Sequence, residues 1–323
     1  MLGKLLDLMS DGDFHSGEWL GQQLGVSRAA VWKSLKKLEE DGYPLYSVRG
    51  RGYCAPKGAS LLDAERIIDR LPEDCRRRWE WRVVNEIDST NAEAHRLVGK
   101  LGPHPLVVTS EQQRSGRGRR GRSWASPYGQ NIYLTVVEPF EAGAQSLEGL
   151  SLVVGLALVE ALEDAGYAGC QLKWPNDVLL DGSKLAGILI EIAGDLSAEC
   201  VAVIGVGVNV LMSRSEHIDQ QWTSLFLSDR SAELDRNRLI ALFLARLHEA
   251  LEIFRRDGFS SFVRVWSERD AWLGRMVRVV SGDNATEGID LGVNDSGALR
   301  LSTGAGEVAM HGGEVSLRLV DAS

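Results

Sequence analysis

Residues Gln113–Trp124 read QRSGRGRRGRSW, and the rest of the chain is interpreted around this stretch. Five arginines and three glycines lie between Arg114 and Arg122. Burying unpaired cations is costly, and glycines weaken both helices and strands, so we expect a mobile surface loop. Because the whole chain carries a net charge of -9, this dense positive loop predicts a local anion-binding site.

The loop alone leaves the nature of the anion open. An RG-rich segment can bind nucleic-acid phosphates. Gly116 and Gly121–Ser123 match a phosphate-binding P-loop with Arg in place of Lys, but residues 124–129 predict a turn where a P-loop needs a helix. We therefore reject the P-loop. The third interpretation is a flexible lid over a small phosphate-bearing ligand.

Length and composition favour a globular protein of two or three domains. The chain has 323 residues, 44% of them hydrophobic and 25% charged. Neither a membrane-spanning apolar run nor a signal peptide is evident, so we expect a cytoplasmic protein with no membrane partner. The 4 cysteines and 6 histidines are scattered, which predicts reduced thiols and no structural metal.

The N-terminal segment predicts a winged helix-turn-helix. Ser16 can cap a helix that ends at Leu24, and Ser27 can cap a second helix that ends near Glu40. Residues 46–53 predict two short strands around a basic glycine turn, as in a wing. A solvated helical hairpin is the alternative, and the role of Trp32 stays open. The candidate DNA-binding residues are Ser27, Arg28, Ala29, Lys33, Lys36, Arg49 and Arg51.

We expect a connector, a central α/β unit and a C-terminal β unit to follow. Residues 59–71 predict one helix of the connector. In the central part, residues 147–166 predict a buried helix, and Pro175 ends a strand so that Asn176 and Asp177 are presented at its end. From residue 272 onward, short strands split by glycines predict a small barrel, for which a packing role is the simplest interpretation.

Five motifs together resemble the biotin–protein ligases in order and spacing. The resemblance covers most of the chain, and the winged helix in front is similar to the bifunctional form, which is both ligase and biotin operon repressor. The family usually has a small neutral residue near Arg114 or Ser115, so the matching glutamine is ambiguous between Gln112 and Gln113, and we choose Gln113. The motifs are Ser89-Thr90-Asn91, Gln113 to Trp124, Lys173-Trp174-Pro175-Asn176-Asp177, Lys184 to Leu189, and Gly205-x-Gly207-x-Asn209.

The resemblance implies a multidomain α+β fold. It consists of a winged helix-turn-helix over residues 1–58, a helical connector over 59–80, a catalytic domain of the class II synthetase type over 81–270, and an SH3-like barrel over 271–323. It also implies the reaction. Biotin and ATP give biotinyl-5′-AMP, and a lysine of the biotin carboxyl carrier protein then takes the biotinyl group. As repressor, an adenylate-bound homodimer would bind biotin operator DNA.

The resemblance also implies roles for individual residues. Arg119, Lys173 and Lys184 are the candidate catalytic cations. Mg²⁺ should accompany ATP, with no ligand set evident among Asn176, Asp177 and Asn209. Biotin would contact Ser89, Thr90, Asn91, Gln113, Arg117, Gly118, Arg119 and Lys184. ATP or the adenylate would contact Arg117, Arg119, Arg120, Arg122, Trp124, Lys173, Asn176 and Asn209.

Three alternative functions remain at this stage. One is a transcription factor that only senses biotin. Lys173, Lys184 and the arginine-rich loop over residues 114–124 (the arginine loop) argue against it, because sensing needs no catalytic cations. Another is a ligase with a vestigial DNA-binding domain. A lipoate ligase is the third, against which the arginine loop and the Lys173–Asp177 motif favour biotin.

Overall fold

The N-terminal unit is a helix-turn-helix followed by a two-stranded wing, as predicted. The computed structural model describes residues 1–40, 42–141, 143–194, 199–215, 218–282, 284–313 and 315–320. The Ser16 Oγ accepts a hydrogen bond from Trp19 N (3.0 Å), and the Ser27 Oγ accepts one from Ala30 N (3.2 Å), which confirms both predicted caps. The elements of this unit are α1 (Leu2–Leu8), α2 (Gly17–Leu24), α3 (Arg28–Glu40), β1 (Tyr46–Val48) and β2 (Gly52–Cys54).

Helix α3 divides into a buried and an exposed face. Val31, Leu35 and Leu38 are buried against the rest of the unit, as their spacing predicts. Gly21 of α2 is required for the close approach, because a Cβ there would lie 2.7 Å from the Val26 carbonyl oxygen.

The connector is mostly irregular, so the prediction of one helix over residues 59–71 is wrong. Only α4 (Ala64–Ile68) is helical, and the Asp63 side chain caps it. The preceding residues are held by distant partners, since the carbonyls of Ser60 and Leu61 accept hydrogen bonds from Arg236 and Asn237. A helix starting at Ala59 would break these bonds.

A seven-stranded mixed sheet forms the central unit, in the order β3-β4-β5-β9-β8-β7-β6. Helix α5 covers one face, over a small core that includes Val108 and Val203, and α6 packs with α8 on the other. The elements are β3 (Glu80–Val84), α5 (Thr90–Leu101), β4 (Leu106–Ser110), β5 (Ile132–Phe140), α6 (Leu150–Asp164), β6 (Cys170–Lys173), β7 (Asp177–Leu180), β8 (Ser183–Gly194), β9 (Cys200–Val208), α7 (Leu225–Ser228), α8 (Arg236–Asp257) and α9 (Val263–Ser267).

The C-terminal unit is a five-stranded antiparallel sheet in the order β13-β12-β11-β10-β14. The sequence pattern predicts five strands within about two residues of those observed. The predicted strands are Met276–Val280, Thr286–Val293, Ala298–Ser302, Glu307–Met310 and Glu314–Leu319. Glu314, the expected start of the last strand, lies outside the described residues. The strands are β10 (Met276–Ser281), β11 (Asn284–Val293), β12 (Leu299–Thr303), β13 (Gly306–Met310) and β14 (Val315–Leu319).

Contrary to the expectation from the sequence, one stretch of the described chain, Gln145–Asp164, is long and apolar enough to cross a membrane by length and composition alone. It contains α6, and 67% of its most apolar window is buried inside the molecule. The apolar surface is therefore accounted for by the core between the sheet and α8.

Candidate active site

The arginine loop, the strand ends of the central sheet and the C-terminal unit enclose a cavity of ≈ 460 Å³. A second cavity of ≈ 1030 Å³ shares Gln113, Arg122, Trp124 and Lys184 with the first, and Asn209 lines it. The structure thus brings most of the predicted site residues together. Those lining the first cavity are Thr90, Gln113, Arg117, Gly118, Arg119, Arg120, Arg122, Trp124, Lys173, Asn176 and Lys184.

The loop is a hydrogen-bonded hairpin. Trp124 N donates to the Gly116 carbonyl (2.9 Å), and Gly118 N donates to the Arg122 carbonyl (2.7 Å). A short 3₁₀ turn at Arg119–Gly121 closes it, with Arg120 in the left-handed region at φ 59. We expected neither helical nor strand-like pairing here, so this local order is a departure from the prediction. The predicted mobility of the loop stays a prediction.

Arg119 joins the loop to two other parts of the chain. Its Nη1 donates to Asn176 Oδ1 (2.8 Å), and its Nη2 donates to the Gly313 carbonyl of the C-terminal unit. Burial lowers the pKa of the Arg119 guanidinium, and Asp177 opposes the shift. The side chain is therefore a partly buried cation positioned beside the cavity.

Two lysines converge on one carboxylate. Lys184 Nζ lies 2.7 Å from Asp177 Oδ1, and Lys173 Nζ lies 3.6 Å from Asp177 Oδ2. Lys173 also lies over the Trp272 ring, 4.8 Å from its centroid. Burial lowers the pKa of the Lys173 ammonium, whereas Asp177 raises it. Asp177 thus keeps two neighbouring cations together at the cavity wall.

Trp124 packs on glycines of two neighbouring strands. A Cβ at Gly207 of β9 would lie 2.5 Å from Trp124, and one at Gly187 of β8 would lie 3.1 Å away. Lys184 Nζ lies 5.6 Å from the indole centroid. The indole therefore forms an aromatic wall between the two cavities, which requires glycine beneath it.

Gln113, the glutamine chosen from the sequence, is hydrogen-bonded to the start of α5. Gln113 Oε1 accepts hydrogen bonds from Thr90 N (2.9 Å) and Thr90 Oγ1 (3.1 Å), and its Nε2 donates to Ser126 Oγ (2.9 Å). Ser89 occupies the N-cap position of α5 without a capping bond from its side chain. These polar groups form a patch suited to a ligand with both donors and acceptors.

The Asn91 side chain is hydrogen-bonded to residues of the central sheet. Its Oδ1 accepts from Thr135 Oγ1 (2.7 Å), and its Nδ2 donates to Glu191 Oε2 (2.8 Å). Arg117 Nη2 donates to the same Glu191 oxygen (3.1 Å). Among the described residues that line the two cavities, Ser89 and Asn91 are absent, so the structure places both beside the site rather than on its wall.

The oxygens considered for Mg²⁺ do not fit a protein-only magnesium cage. Asn176 Oδ1 accepts from Arg119, and Asn209 Nδ2 donates to the Thr223 carbonyl (3.0 Å). Asp177 faces the two lysines. Magnesium prefers several oxygen ligands and waters, whereas this wall is rich in cations.

The C-terminal unit contributes wall residues that the sequence did not indicate. Four residues of β14 line the first cavity, and the Gly313 carbonyl accepts from Arg119. The indole of Trp174 donates to the Gly297 carbonyl (3.1 Å), which fixes the two units against each other. The expectation of a packing role alone is therefore too narrow. The four residues are Val315, Ser316, Leu317 and Arg318.

The candidate DNA-binding face is exposed. Trp32 is 51% exposed, and Lys36 lies 5.0 Å from the centroid of its ring, which excludes a core role for Trp32. In the wing, Arg51 lies over the Phe14 ring at 4.3 Å. All the predicted residues are exposed, namely Ser27, Arg28, Ala29, Lys33, Lys36, Arg49 and Arg51.

Three family descriptions match successive parts of the chain. An HTH domain matches residues 4–54, the Biotin/lipoate A/B protein ligase family matches 83–209, and the Biotin protein ligase C terminal domain matches 272–318. Each match falls within one of the structural units described above.

Similar proteins extend over the whole chain. The bifunctional ligase/repressor BirA of Salmonella typhimurium is 40% identical over 97% of this chain and 96% of its own, and that of Escherichia coli is 38% identical over 98% and 96%. A solved biotin protein ligase from Aquifex aeolicus, in complex with biotin and ATP, is 29% identical at a TM-score of 0.66. It covers 75% of this chain and 99% of its own. Given this similarity along nearly the full length, the protein belongs to the biotin–protein ligase family, in its bifunctional ligase/repressor form.

Proposed function

We propose that this protein activates biotin with ATP and transfers it to a lysine of the biotin carboxyl carrier protein of acetyl-CoA carboxylase. We further propose that it represses the biotin operon. The observation that carries the first part is one cavity that combines Arg119, Lys173 and Lys184 with the polar Thr90–Gln113 patch. Cations suit phosphate oxygens, and the patch suits the ureido group of biotin.

In the first step, a biotin carboxylate oxygen attacks the α-phosphorus of ATP, and pyrophosphate leaves. Lys173, Lys184 and Arg119 stabilise the negative charge that gathers on the phosphate oxygens, so catalysis consists of positioning and electrostatics. ATP would enter as its Mg²⁺ complex, and the ion would neutralise phosphate charge. Arg120 and Arg122 flank the phosphates, and Trp124 covers the adenine.

In the second step, the neutral amine of the carrier lysine attacks the carbonyl carbon of biotinyl-5′-AMP. The bond from that carbon to the phosphate oxygen breaks, AMP leaves, and the amine loses a proton. Until the carrier arrives, the loop excludes water from the mixed anhydride. The contacts that Arg119 makes to Asn176 and Gly313 support this closing role.

The repressor function rests on the exposed basic face of α3 and the wing. A single winged helix gives limited affinity for DNA. We therefore propose that the adenylate-bound protein dimerises and places two winged helices on a palindromic operator. Residues 1–58, 59–80, 81–270 and 271–323 remain our proposed domain bounds, and the cytoplasm our proposed location.

The ligase activity is tested by ATP-dependent labelling of a carrier domain with biotin. We expect labelling that excess lipoate does not compete. Labelling with lipoate instead would assign the protein to the lipoate ligases, and the absence of labelling with retained biotin binding would leave a biotin sensor.

Repression has its own test. Sedimentation with and without biotinyl-5′-AMP should show more dimer with the adenylate, and footprinting should show protection of the biotin operator. Protection that is absent at all adenylate concentrations would leave a ligase with a vestigial DNA-binding domain.

A further inference from the structure

Three side chains able to ligate a divalent metal meet where the connector crosses α8. Asp74 and Cys75 are neighbours in the turn after Pro72, and His248 projects from the middle of α8. Their ligand atoms all lie within 4.8 Å of one another. Cys75 is buried, whereas Asp74 is exposed and His248 half-buried, so the cluster is accessible from one side.

His248 has an unmet bonding requirement. Its Nδ1 is buried and has no hydrogen-bond partner among the described residues. Buried polar atoms are nearly always paired, so an orphan calls for an explanation, and an ion is one. The ring also packs edge-on against Trp79, with centroids 6.3 Å apart, which fixes its orientation beside Cys75.

The cluster lies among carboxylates. Cys75 is buried next to Asp74, and Glu249 follows His248 along α8. A divalent cation is attracted by neighbouring carboxylates and deprotonates a coordinating thiol.

We propose that Asp74, Cys75 and His248 form a zinc site, with water as the fourth ligand. One sulfur, one nitrogen and one oxygen donor make a set that Zn²⁺ accepts in tetrahedral geometry. Zinc–ligand bonds of about 2.0–2.3 Å place the ligand atoms roughly 3.3–3.8 Å apart, so the side chains close by at most about 1.5 Å. Binding releases the thiol proton to solvent.

The site would join the connector to α8 at a second point. At the start of α8, Arg236 and Asn237 hold residues Ser60 and Leu61 of the connector. The zinc site would hold the other end of the connector to the same helix. It is separate from the proposed reaction, because the described residues lining the two active-site cavities include none of the three ligands.

Metal titration of the full-length protein tests the proposal. After removal of metals with a chelator, Zn²⁺ is titrated in competition with an indicator, and Co²⁺ is used as a spectroscopic probe. We expect a single high-affinity site and a thiolate-to-cobalt charge-transfer band. Cys75→Ser should abolish the band, and Cys75→Ser and His248→Gln should each weaken zinc binding by roughly tenfold or more. Zinc should raise the Tm of the unmutated protein more than that of His248→Gln at the same zinc concentration.

Matched controls use another cysteine and another histidine. Cys170→Ser and His104→Gln should keep the zinc affinity and the cobalt band. If Cys75→Ser does not fold, His248→Gln and Asp74→Asn carry the comparison, since these side chains are not fully buried. An affinity and a Tm shift that are the same in the unmutated protein and His248→Gln would overturn the proposal, as would the absence of zinc binding.

Discussion

At the residue scale, Asp177 offsets the electrostatic repulsion between two neighbouring lysines. Lys173 and Lys184 both face the site, and Lys184 disfavours the charge of Lys173. Asp177 contacts both. Its function in our proposal is therefore to keep the Lys173 ammonium charged and both side chains in place rather than to touch the substrate.

Asp177→Asn should lower adenylation and change its pH dependence. Since Asp177 raises the pKa of Lys173, its removal lowers that pKa further, and the Lys173 charge is lost at lower pH. We expect a fall in kcat/KM of about 10- to 100-fold and an alkaline limb displaced toward lower pH. Pyrophosphate release measured across pH checks this. Asp181→Asn, at an exposed hairpin turn with φ 51, is the control. An unmoved alkaline limb would contradict the assignment.

Arg119→Gly should release the activated intermediate. The change removes the bonds to Asn176 and Gly313, so the loop loses its attachment to both neighbouring parts of the chain. We expect biotin to appear on lysines of an unrelated bystander protein, at least about tenfold above the unmutated level. Arg114→Gly removes a loop arginine that pairs with Glu86 instead, and it should keep bystander labelling low. Equal retention of adenylate by the Arg119 variant would refute the lid.

At the scale of elements, the neighbouring strands β8 and β9 form the floor on which Trp124 rests. Gly207→Ala places a methyl group 2.5 Å from the indole and should displace it, raising the KM for ATP by about tenfold or more. Gly187→Ala, at 3.1 Å, should have a smaller effect. Gly99→Ala on α5, which meets no atom within 4 Å, is the control. ATP titration of adenylation measures all three. The same KM in all variants would exclude Trp124 from the nucleotide site.

Local patterns predict elements well where their own residues decide the outcome. The buried face of α3 follows from the spacing of Val31, Leu35 and Leu38, and its start from the Ser27 cap. Local patterns do not predict the connector, because its conformation depends on Glu111, Arg236 and Asn237, which are distant in sequence. The helix predicted over residues 59–71 is therefore one that those partners prevent.

The candidate site likewise has features that local motifs predict and features that depend on tertiary packing. The motifs predicted that the arginine loop, Lys173 and Lys184 belong to one site, and the cavity contains them all. The contribution of β14 could not be predicted, since it depends on how the C-terminal unit packs against the sheet. The hydrogen bonds of Asn91 to Thr135 and Glu191 could not be predicted either, because they depend on the register of the sheet.

At the scale of the whole molecule, a buried ion pair within the catalytic unit holds the connector through hydrogen bonds to its backbone. Glu111 Oε2 lies 2.8 Å from Arg236 Nη1, and these side chains are 3% and 1% exposed. The second Glu111 oxygen accepts from Leu62 N, and Arg236 Nη2 donates to the Ser60 carbonyl (2.8 Å). The connector thus supplies backbone groups that complete the hydrogen bonding of both buried charges.

Removing one partner should be strongly destabilising. Glu111→Gln leaves Arg236 buried without a carboxylate and should cost about 3–5 kcal/mol in the unfolding of the catalytic unit. Urea titration measures this, and trypsin should cut the connector faster. Adding Arg236→Met should recover part of the loss. Arg66→Met, which breaks an exposed pair with Asp7, should cost no more than about 1 kcal/mol. Equal costs for both pairs would contradict this account.

The arrangement of Glu111 and Arg236 also limits how far the protein can be truncated from its N-terminus. A shortened ligase that begins after Leu62 would keep both charges but lose the backbone groups of Ser60 and Leu62 that complete their coordination. Water would enter a compartment that the full chain keeps dry, next to the segment leading to Gln113. A minimal ligase fragment should therefore retain residues 59–63, and a fusion partner is better attached before Gly58.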